Sequence, residues 1–259
     1  MDTKYAIVTE LPGTGVTKEQ LERIFHRYHF ALEFCKDKDV LEVACGSGLG
    51  LGYLAERAKK VIAGDIDKEN LNSARKNYRG RDCIELRLFD AHKLPFEDSS
   101  FDVVILYEAL YYLAQPERFI QEAHRILRKR GVLIICTVNK DWSDFNPSPF
   151  STKYFSIPDL FSLLNQVFSK VELYGAFSVA TDRSRDKIVS FIKRKAVVFN
   201  LIPKTMKGKE IFKRIFFGRL LTLPPEISEG MTKYYPPVSI PNDSPNFDYK
   251  VLYAVAHIS

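Results

Sequence analysis

The sequence predicts an α/β fold organised around a doubly wound parallel sheet, and three observations predict it. Val40-Leu-Glu-Val-Ala-Cys-Gly-Ser-Gly-Leu-Gly50 reads as a buried strand running into a glycine-rich turn that opens a helix. Val61-Ile-Ala-Gly-Asp65 reads as a second strand ending in an acid. Beyond them, strand-like apolar runs alternate with segments of helical period, the order that β-α-β crossovers require. A glycine turn of this kind lets backbone N–H groups approach a ligand closely, and an acid at the tip of the next strand can accept from two ribose hydroxyls.

The elements follow in order. Thr17-Lys-Glu-Gln20 is a capping-box signature. Leu21, Ile24, Phe25, Tyr28 and Leu32 follow it at helical spacing, which predicts a helix over about 18–35. Asp39–Ala44 reads as the first strand, Leu49–Ala58 as its helix and Val61–Gly64 as the second strand. Asp67 is placed to cap a helix over Lys68–Tyr78. Ile84–Phe89 alternates as a third strand, and Phe101–Tyr107 is almost continuously apolar, as a central parallel strand buried on both faces should be. Pro116 opens a helix with the stripe Phe119, Ile120, Ala123, Ile126 and Leu127. Gly131–Val138 is the fifth strand, Ser156-Ile-Pro-Asp159 opens a short helix to about Phe168, and Lys170–Phe177 and Tyr249–Ile258 read as two further strands. Between these last two, a structureless loop would be implausible. Helices are expected at about 185–201 and 207–221, followed by an irregular proline-rich segment.

At 259 residues, with 46% hydrophobic and 27% charged residues, the chain can bury one α/β domain with an elaboration. The start, Met-Asp-Thr-Lys-Tyr-Ala-Ile-Val, does not read as a signal peptide, and no run of about 18 uninterrupted apolar residues reads as a membrane span. Cys35, Cys45, Cys83 and Cys136 are scattered, which argues against a metal site or a disulfide framework and fits a cytoplasmic location. Charge is uneven. Residues 183–219 hold 12 Lys/Arg against 2 acids, whereas the whole chain is only +6. That segment could contact a membrane peripherally, meet a phosphate-rich ligand, or present a solvated helical face.

The glycine spacing separates two cofactor families. A dinucleotide loop wants G-x-G-x-x-G, but Leu51 and Tyr53 stand at the sixth positions counted from Gly46 and Gly48. The segment instead resembles motif I, E/D-x-G-x-G-x-G, of the class I S-adenosylmethionine-dependent methyltransferases. Glu42, Gly46 and Gly48 match, and Ala44 stands where the first glycine is usual. Asp90-Ala-His-Lys-Leu-Pro-Phe-Glu-Asp-Ser-Ser-Phe-Asp-Val-Val104 is similar to the family's D-A-x-x-L-P-F-x-D-x-S-F-D-x-V run, in which the acid at Asp102 is more often structural. His26-Arg-Tyr-His-Phe-Ala31 resembles an H-R-Y-x-F-A element of some bacterial members, where the helix tends to lid the cofactor. The resemblance covers residues 17–177 and the last strand.

It implies a Rossmann-like seven-stranded sheet with a C-terminal antiparallel strand pair, plus a helical insertion before the last strand. The whole of 1–259 then reads as one methyltransferase domain: an N-terminal helical lid over 1–38, a core over 39–177 and 249–259, and an insertion or acceptor cap over 178–248. It implies S-adenosyl-L-methionine as cofactor, held by Tyr28, Glu42, Ala44, Cys45, Gly46, Gly48, Asp65, Ile66, Asp90, Ala91 and Tyr107. Asp65 would take the ribose, Asp90 the adenine amine, and the Ala91 N–H a ring nitrogen. Cys45 reads as a small residue in a tight place, not a nucleophile. An aromatic face at Tyr28 would favour a sulfonium, and Arg27 could pair with the methionine carboxylate. Alternatively Tyr28 belongs to the apolar stripe and Arg27 is its solvated neighbour.

After the fourth strand, Tyr107-Glu-Ala-Leu-Tyr-Tyr-Leu113 keeps Glu108 and Leu113 of a family pattern E-x-x-E-H-L, but Tyr111 and Tyr112 replace its Glu-His pair. Glu108 and Tyr112 are the candidate catalytic residues, with His29 and His92 as further positional candidates for a base. The family's Lys-Pro-Gly-Gly turn is here Arg128-Lys-Arg-Gly131, which predicts a different shape. The acceptor reads as a small molecule or glycan-type hydroxyl. The competing functions are a nucleic-acid methyltransferase, for which the strand end Leu106-Tyr-Glu-Ala109 lacks an N/D-P-P-Y motif, and a cofactor-binding protein without transfer. The oligomeric state is not specified by the sequence.

Overall fold

A computed structural model describes residues 9–181 and 220–259. Helices expected at 185–201 and over most of 207–221, and the basic segment 183–219, lie outside the described residues. The chain runs β1 (Gly15–Val16), α1 (Lys18–Cys35), β2 (Asp39–Val43), α2 (Leu51–Ala55), β3 (Lys60–Asp65), α3 (Lys68–Asn77), β4 (Ile84–Leu88), β5 (Phe101–Tyr107), α4 (Pro116–Ile126), β6 (Leu127–Val138), α5 (Ile157–Asn165), β7 (Lys170–Ser178), β8 (Leu221–Thr222), β9 (Val238–Ser239) and β10 (Tyr249–His257).

Local chemistry fixes the helix starts. Thr17 accepts from the Gln20 N–H while the Gln20 side chain returns to the Thr17 N–H, closing the capping box of α1. Ser156 and Asp159 do the same for α5. The Asp67 carboxylate takes the N–H groups of Glu69 and Asn70 at the start of α3. The second helix is the main departure in length: α2 spans Leu51–Ala55, not Leu49–Ala58, because residues 44–50 are taken up by the turn and Glu56 and Arg57 already close it.

The main sheet has the order β4-β3-β2-β5-β6-β10-β7-β9. From β4 to β6 all neighbours are parallel. β10 is antiparallel to both β6 and β7, which gives the expected C-terminal antiparallel pair. Among the described residues the sheet has eight strands rather than seven, because the two-residue β9 adds Val238 opposite Gly175 at the edge. Leu221 belongs not to a helix but to β8, which pairs with β1 in a separate two-stranded ribbon. β6 begins at Leu127 rather than Gly131. Its register slips between Phe101 and Val103, and Arg130 takes a left-handed φ of 62° where the family turn has glycine.

Side chains alternate across the sheet with the period of a pleated strand. Val40, Val103, Ile105, Ile134 and Tyr253 face a core formed with α1, α2 and α3. Leu41, Val104, Leu106, Ile135 and Leu252 face a second core formed with α4 and α5. Both faces of the sheet are therefore covered, and β5 is apolar because it is buried on both sides. Asp102, the polar exception, accepts from the Asp39 N–H and pairs with Arg128, tying β5 to β2 and β6.

Residues 220–235 cross the outer side of α1 and α2. Leu223 exchanges backbone bonds with Gly13 and Thr14, the Ile227 N–H donates to Leu49 C=O, and Glu226 pairs with Arg81. Glu229 accepts from Tyr53, whose hydroxyl also meets His29. No described helix is long and apolar enough to cross a membrane.

The capping box gives α1 a checkable dependence on one hydroxyl. Thr17→Ala is expected to lower global stability by about 1 kcal/mol, read as a shift in urea midpoint at unchanged slope.

Candidate functional site

The order of the parallel strands reverses between β2 and β5, since the chain winds outward to β3 and β4 and then returns to β5 and β6. In such sheets, ligands bind beyond the strand C-termini at that reversal. A cleft of about 390 Å³ lies there, within the range of small-molecule sites. Its walls come from the ends of β2, β3, β5 and β6, the loop after β4, the inner face of α1, and Thr9-Glu10.

Of the residues expected to hold a cofactor, Tyr28, Glu42, Ala44, Cys45, Gly46, Asp65, Ile66, Asp90, Ala91 and Tyr107 line this cleft. Gly48 does not. It stands at a left-handed φ of 77°, and a Cβ there would meet Leu51, Ala74 and Tyr78, so it shapes the turn from behind. Both candidate catalytic residues, Glu108 and Tyr112, also line the cleft, as does His92. His29 lies elsewhere, against Tyr53 and Tyr234 beneath the 220–235 segment, and is not placed to act on a ligand in the cleft. Among the described residues, none after Val138 lines the cleft, so the described part of 178–248 does not wall it.

Asp65 holds the turn. Its Oδ2 accepts from the Gly46 N–H and its Oδ1 from the Asp67 N–H, each at 2.8 Å. Burial raises its pKa, and these two bonds oppose the rise. Ile66 beside it is 53% exposed, an apolar side chain turned out at the rim of a ligand-sized cleft. Asp90 is held low despite some burial, because its Oδ1 accepts from both the N–H and Nδ1 of His92. The Gln115 N–H donates to His92 Nε2, so Nδ1 carries the proton given to Asp90.

The other end of the cleft is set by α1. Arg27 is not solvated: it is 8% exposed, and its Nη2 lies 2.5 Å from Glu10 Oε2. Burial opposes its charge, but Glu10, Tyr28, Glu108 and Cys136 around it together outweigh that and raise its pKa. Tyr28 donates to Glu42 Oε1 at 2.7 Å and meets Tyr107 edge-on at 5.4 Å. A Cβ on Gly50 would stand 2.2 Å from the Tyr28 ring, so glycine at that position admits the aromatic. Burial pushes the Glu42 carboxyl up to about 7 against the pull of Tyr28 and Arg27. Burial also raises the Cys45 thiol well above its usual value, which keeps it a protonated wall residue.

Glu108 adopts a left-handed φ of 51° at the end of β5, and Ala44 one of 56° at the end of β2. Strained backbone of this kind gathers at ligand sites. The Glu108 N–H is fixed by Cys136 C=O, and its Oε2 accepts from Tyr111 at 2.9 Å. Burial raises its pKa, with Arg27 and the Tyr111 bond opposing. Tyr111, which stands where the family pattern has a glutamate, thus donates to Glu108, while Tyr112 packs against it at 4.6 Å on the cleft wall.

Buried polar atoms without hydrogen-bond partners cluster here. Arg27 Nε, Glu42 Oε2, Asn70 Oδ1 and Tyr107 Oη all belong to cleft residues. Such atoms are destabilising unless a ligand or water completes them. The sequence does not single out Thr9, Glu10, Arg23 or Asn70, and marks Gln20 only as part of a cap. For Gln20, Arg23 and Arg27 a signal existed: their spacings of three and four put them on one polar stripe of α1. Thr9 and Glu10 carry no local signal.

Since its carboxyl is near 7 in the fold and 4.5 as the ordinary value, Glu42 disfavours folding above about pH 7 and ceases to do so below about 4.5. Glu42→Gln is expected to flatten the stability profile between those limits and to stabilise the chain at pH 8 by up to about 3 kcal/mol. Urea titrations across pH check this; parallel profiles for the two proteins would assign the effect elsewhere.

A methyltransferase-domain family matches residues 41–135. A "Probable S-adenosylmethionine-dependent methyltransferase" of Mycolicibacterium smegmatis is 31% identical over 157 residues, 58% of this chain and 56% of that protein. A phthiotriol/phenolphthiotriol dimycocerosates methyltransferase of Mycobacterium ulcerans is 35% identical over 129 residues, 48% and 44% of the two chains. The chain therefore spans about half the length of the curated relatives it matches. An S-adenosylmethionine-dependent methyltransferase structure from Thermotoga maritima superposes with a TM-score of 0.55 at 15% identity, covering 93% of this chain and 96% of that one. A [4+2]-cyclase superposes with 0.59 at 16% identity, covering 96% and 86%. At these identities the structures establish the fold alone. The methyltransferase-domain match over residues 41–135 and these relatives make the chain similar, over about half of its length, to S-adenosylmethionine-dependent methyltransferases.

Proposed function

We propose that the chain transfers a methyl group from S-adenosyl-L-methionine to a small-molecule or glycan-type acceptor, at oxygen. The supporting observation is the set of orphaned buried polar atoms on the residues of one cleft at the sheet reversal. The cofactor, when bound, supplies an electrophilic methyl on a sulfonium. In this reading Asp65 accepts from the ribose hydroxyls with the lone pairs its two backbone bonds leave, and the Ala44–Gly46 backbone borders the sugar. Asp90 and the Ala91 N–H take the adenine edge, and Ile66 covers its face. Tyr28 and Tyr107 flank the sulfonium end with aromatic surface, where a cation is favoured. Arg27 lies at the methionine end.

Glu108 is the proton acceptor in this assignment, held by Tyr111, and Tyr112 orients the acceptor. Burial raises the pKa of this carboxyl, which makes its carboxylate a stronger base. Alignment of the two reactants and exclusion of water supply the larger share, on the order of 7 to 11 kcal/mol in favourable cases. The mycobacterial relative named for a lipid acceptor favours a small-molecule acceptor over a polymer.

Calorimetric titration with S-adenosylhomocysteine tests the cofactor assignment. Asp65→Ala is expected to weaken binding at least 100-fold, and undiminished binding would overturn the ribose role. In a labelled-methyl assay against fractionated extract, Glu108→Gln is expected to lower kcat roughly 10²- to 10⁴-fold with S-adenosylhomocysteine affinity little changed. Equal turnover by the variant would move the base elsewhere.

A further inference from the structure

We propose that Tyr154, which lies outside the cleft, is a positioning residue for Glu108 and acts on it through Tyr111. This rests on the assignment of Glu108 as proton acceptor and adds a control on it from the loop between β6 and α5, which belongs to none of the sequence motifs.

The connection runs in three steps. Tyr111 lies in the single turn Leu110–Tyr112, lines the cleft, and donates to Glu108 Oε2 at 2.9 Å. Its ring is stacked on Tyr154, with centroids 4.7 Å apart and planes 27° from parallel. Tyr154 is half-buried and lines no part of the cleft. It is held by its own loop: its Oη accepts from the Ser148 N–H at 3.0 Å, and Phe145 meets its ring edge-on at 4.6 Å. The same loop grips the turn by its backbone. The Thr152 N–H donates to the Tyr111 C=O at 2.8 Å, and Thr152 Oγ1 donates to the Leu113 C=O at 2.8 Å. Ring and backbone of Tyr111 are therefore fixed by one loop, and its hydroxyl is directed at Glu108.

Glu108 needs a fixed donor because its surroundings compete. Burial is the largest influence and opposes its charge. Arg27 and Arg23 from α1 and the Tyr111 hydroxyl favour the charge, and Glu10 from the segment before β1 opposes it. Cys136 Sγ of β6 lies 3.8 Å from Oε1, and Tyr112 stands beside Tyr111. A hydroxyl on a freely turning phenol gives a carboxylate no direction, whereas a hydroxyl on a stacked ring does. The stack on Tyr154 thus decides where Oε2 points and how far the negative charge is stabilised.

The test is carbon-13 NMR of the Glu108 carboxyl in glutamate-labelled protein, the resonance being the one lost in Glu108→Gln. Tyr111→Phe is expected to raise its titration midpoint by about one pH unit, because a hydrogen bond to the charged form is lost. Tyr154→Leu is expected to raise it comparably, and Tyr154→Phe, which keeps the ring, to leave it where the unaltered protein has it. Residues acting in series are not additive, so Tyr111→Phe with Tyr154→Leu is expected to go no further than Tyr111→Phe alone. A midpoint unmoved by Tyr154→Leu would overturn the proposal, as would shifts that add in the double variant. If Tyr154→Leu does not fold, Phe145→Leu takes its place, with a smaller rise expected and no rise counting against Tyr154. In the labelled-methyl assay Tyr154→Leu is expected to lower transfer about tenfold or more with S-adenosylhomocysteine affinity little changed; unchanged transfer would overturn the positioning role. The titration needs no acceptor, so failure of the base assignment looks different: Glu108→Gln would turn over like the unaltered protein whatever the midpoints do.

Discussion

One carboxylate organises this molecule. Asp65 ends β3, and its two oxygens take the N–H of Gly46 from the turn after β2 and the N–H of Asp67 at the start of α3. Three segments that are separate in sequence are thereby fixed at one point. The turn cannot relax toward solvent, because the Gly46 N–H has its partner inside, and α3 cannot shift, because its cap residue is anchored two residues earlier. The parallel ladder delivers the acid to this place: Val43 pairs with Gly64, so the end of β3 stands beside the first residue of the turn. An acid buried in this way is destabilising unless it is satisfied, and the same bonds that satisfy it shape the cleft.

The opposite wall has a different origin. It is formed by the inner face of α1, where Arg27, Tyr28 and Arg23 meet the ends of β5 and β6. Tyr28 closes onto Glu42, and Glu42 belongs to β2, so helix and sheet are linked through a charged group that burial disfavours. Behind α1, the 220–235 segment holds the helix from outside through Ile227, Glu229 and the contact of Tyr235 C=O with His26. Burial lowers the His26 pKa to about 4, so that imidazole is a neutral packing group. The helix thus has contacts on both faces, with its cleft-facing residues set between the strand ends and the 220–235 segment.

The sheet and the half of the cleft built on the glycine turn are legible in the sequence because their signals are local. Thr17 with Gln20, Asp67 before α3, and the glycine turn between β2 and α2 each encode their own geometry within a few residues. Ala44 is instructive: the structure puts it at φ 56°, the conformation for which glycine is the usual residue, so the position's requirement persists although the residue has changed. What the sequence did not show is tertiary. Of the two readings of Arg27, the solvated neighbour fails because Glu10, seventeen positions earlier, folds back onto it. The removal of His29 from the cleft goes with its contacts to Glu229 and Tyr234, far away in the chain. The eighth strand is two residues long and has no pattern to detect.

β10 and β7 are neighbours, with Tyr249 beside Ser178, although about seventy residues separate them. Because the entropy of joining two ends rises only with the logarithm of the path, doubling that detour adds about 0.6 kcal/mol. Length and content between these two strands are therefore weakly taxed by the scaffold. The junction acts as a cassette site, where whole stretches of chain can be exchanged while the cleft between β2 and β5 keeps its shape.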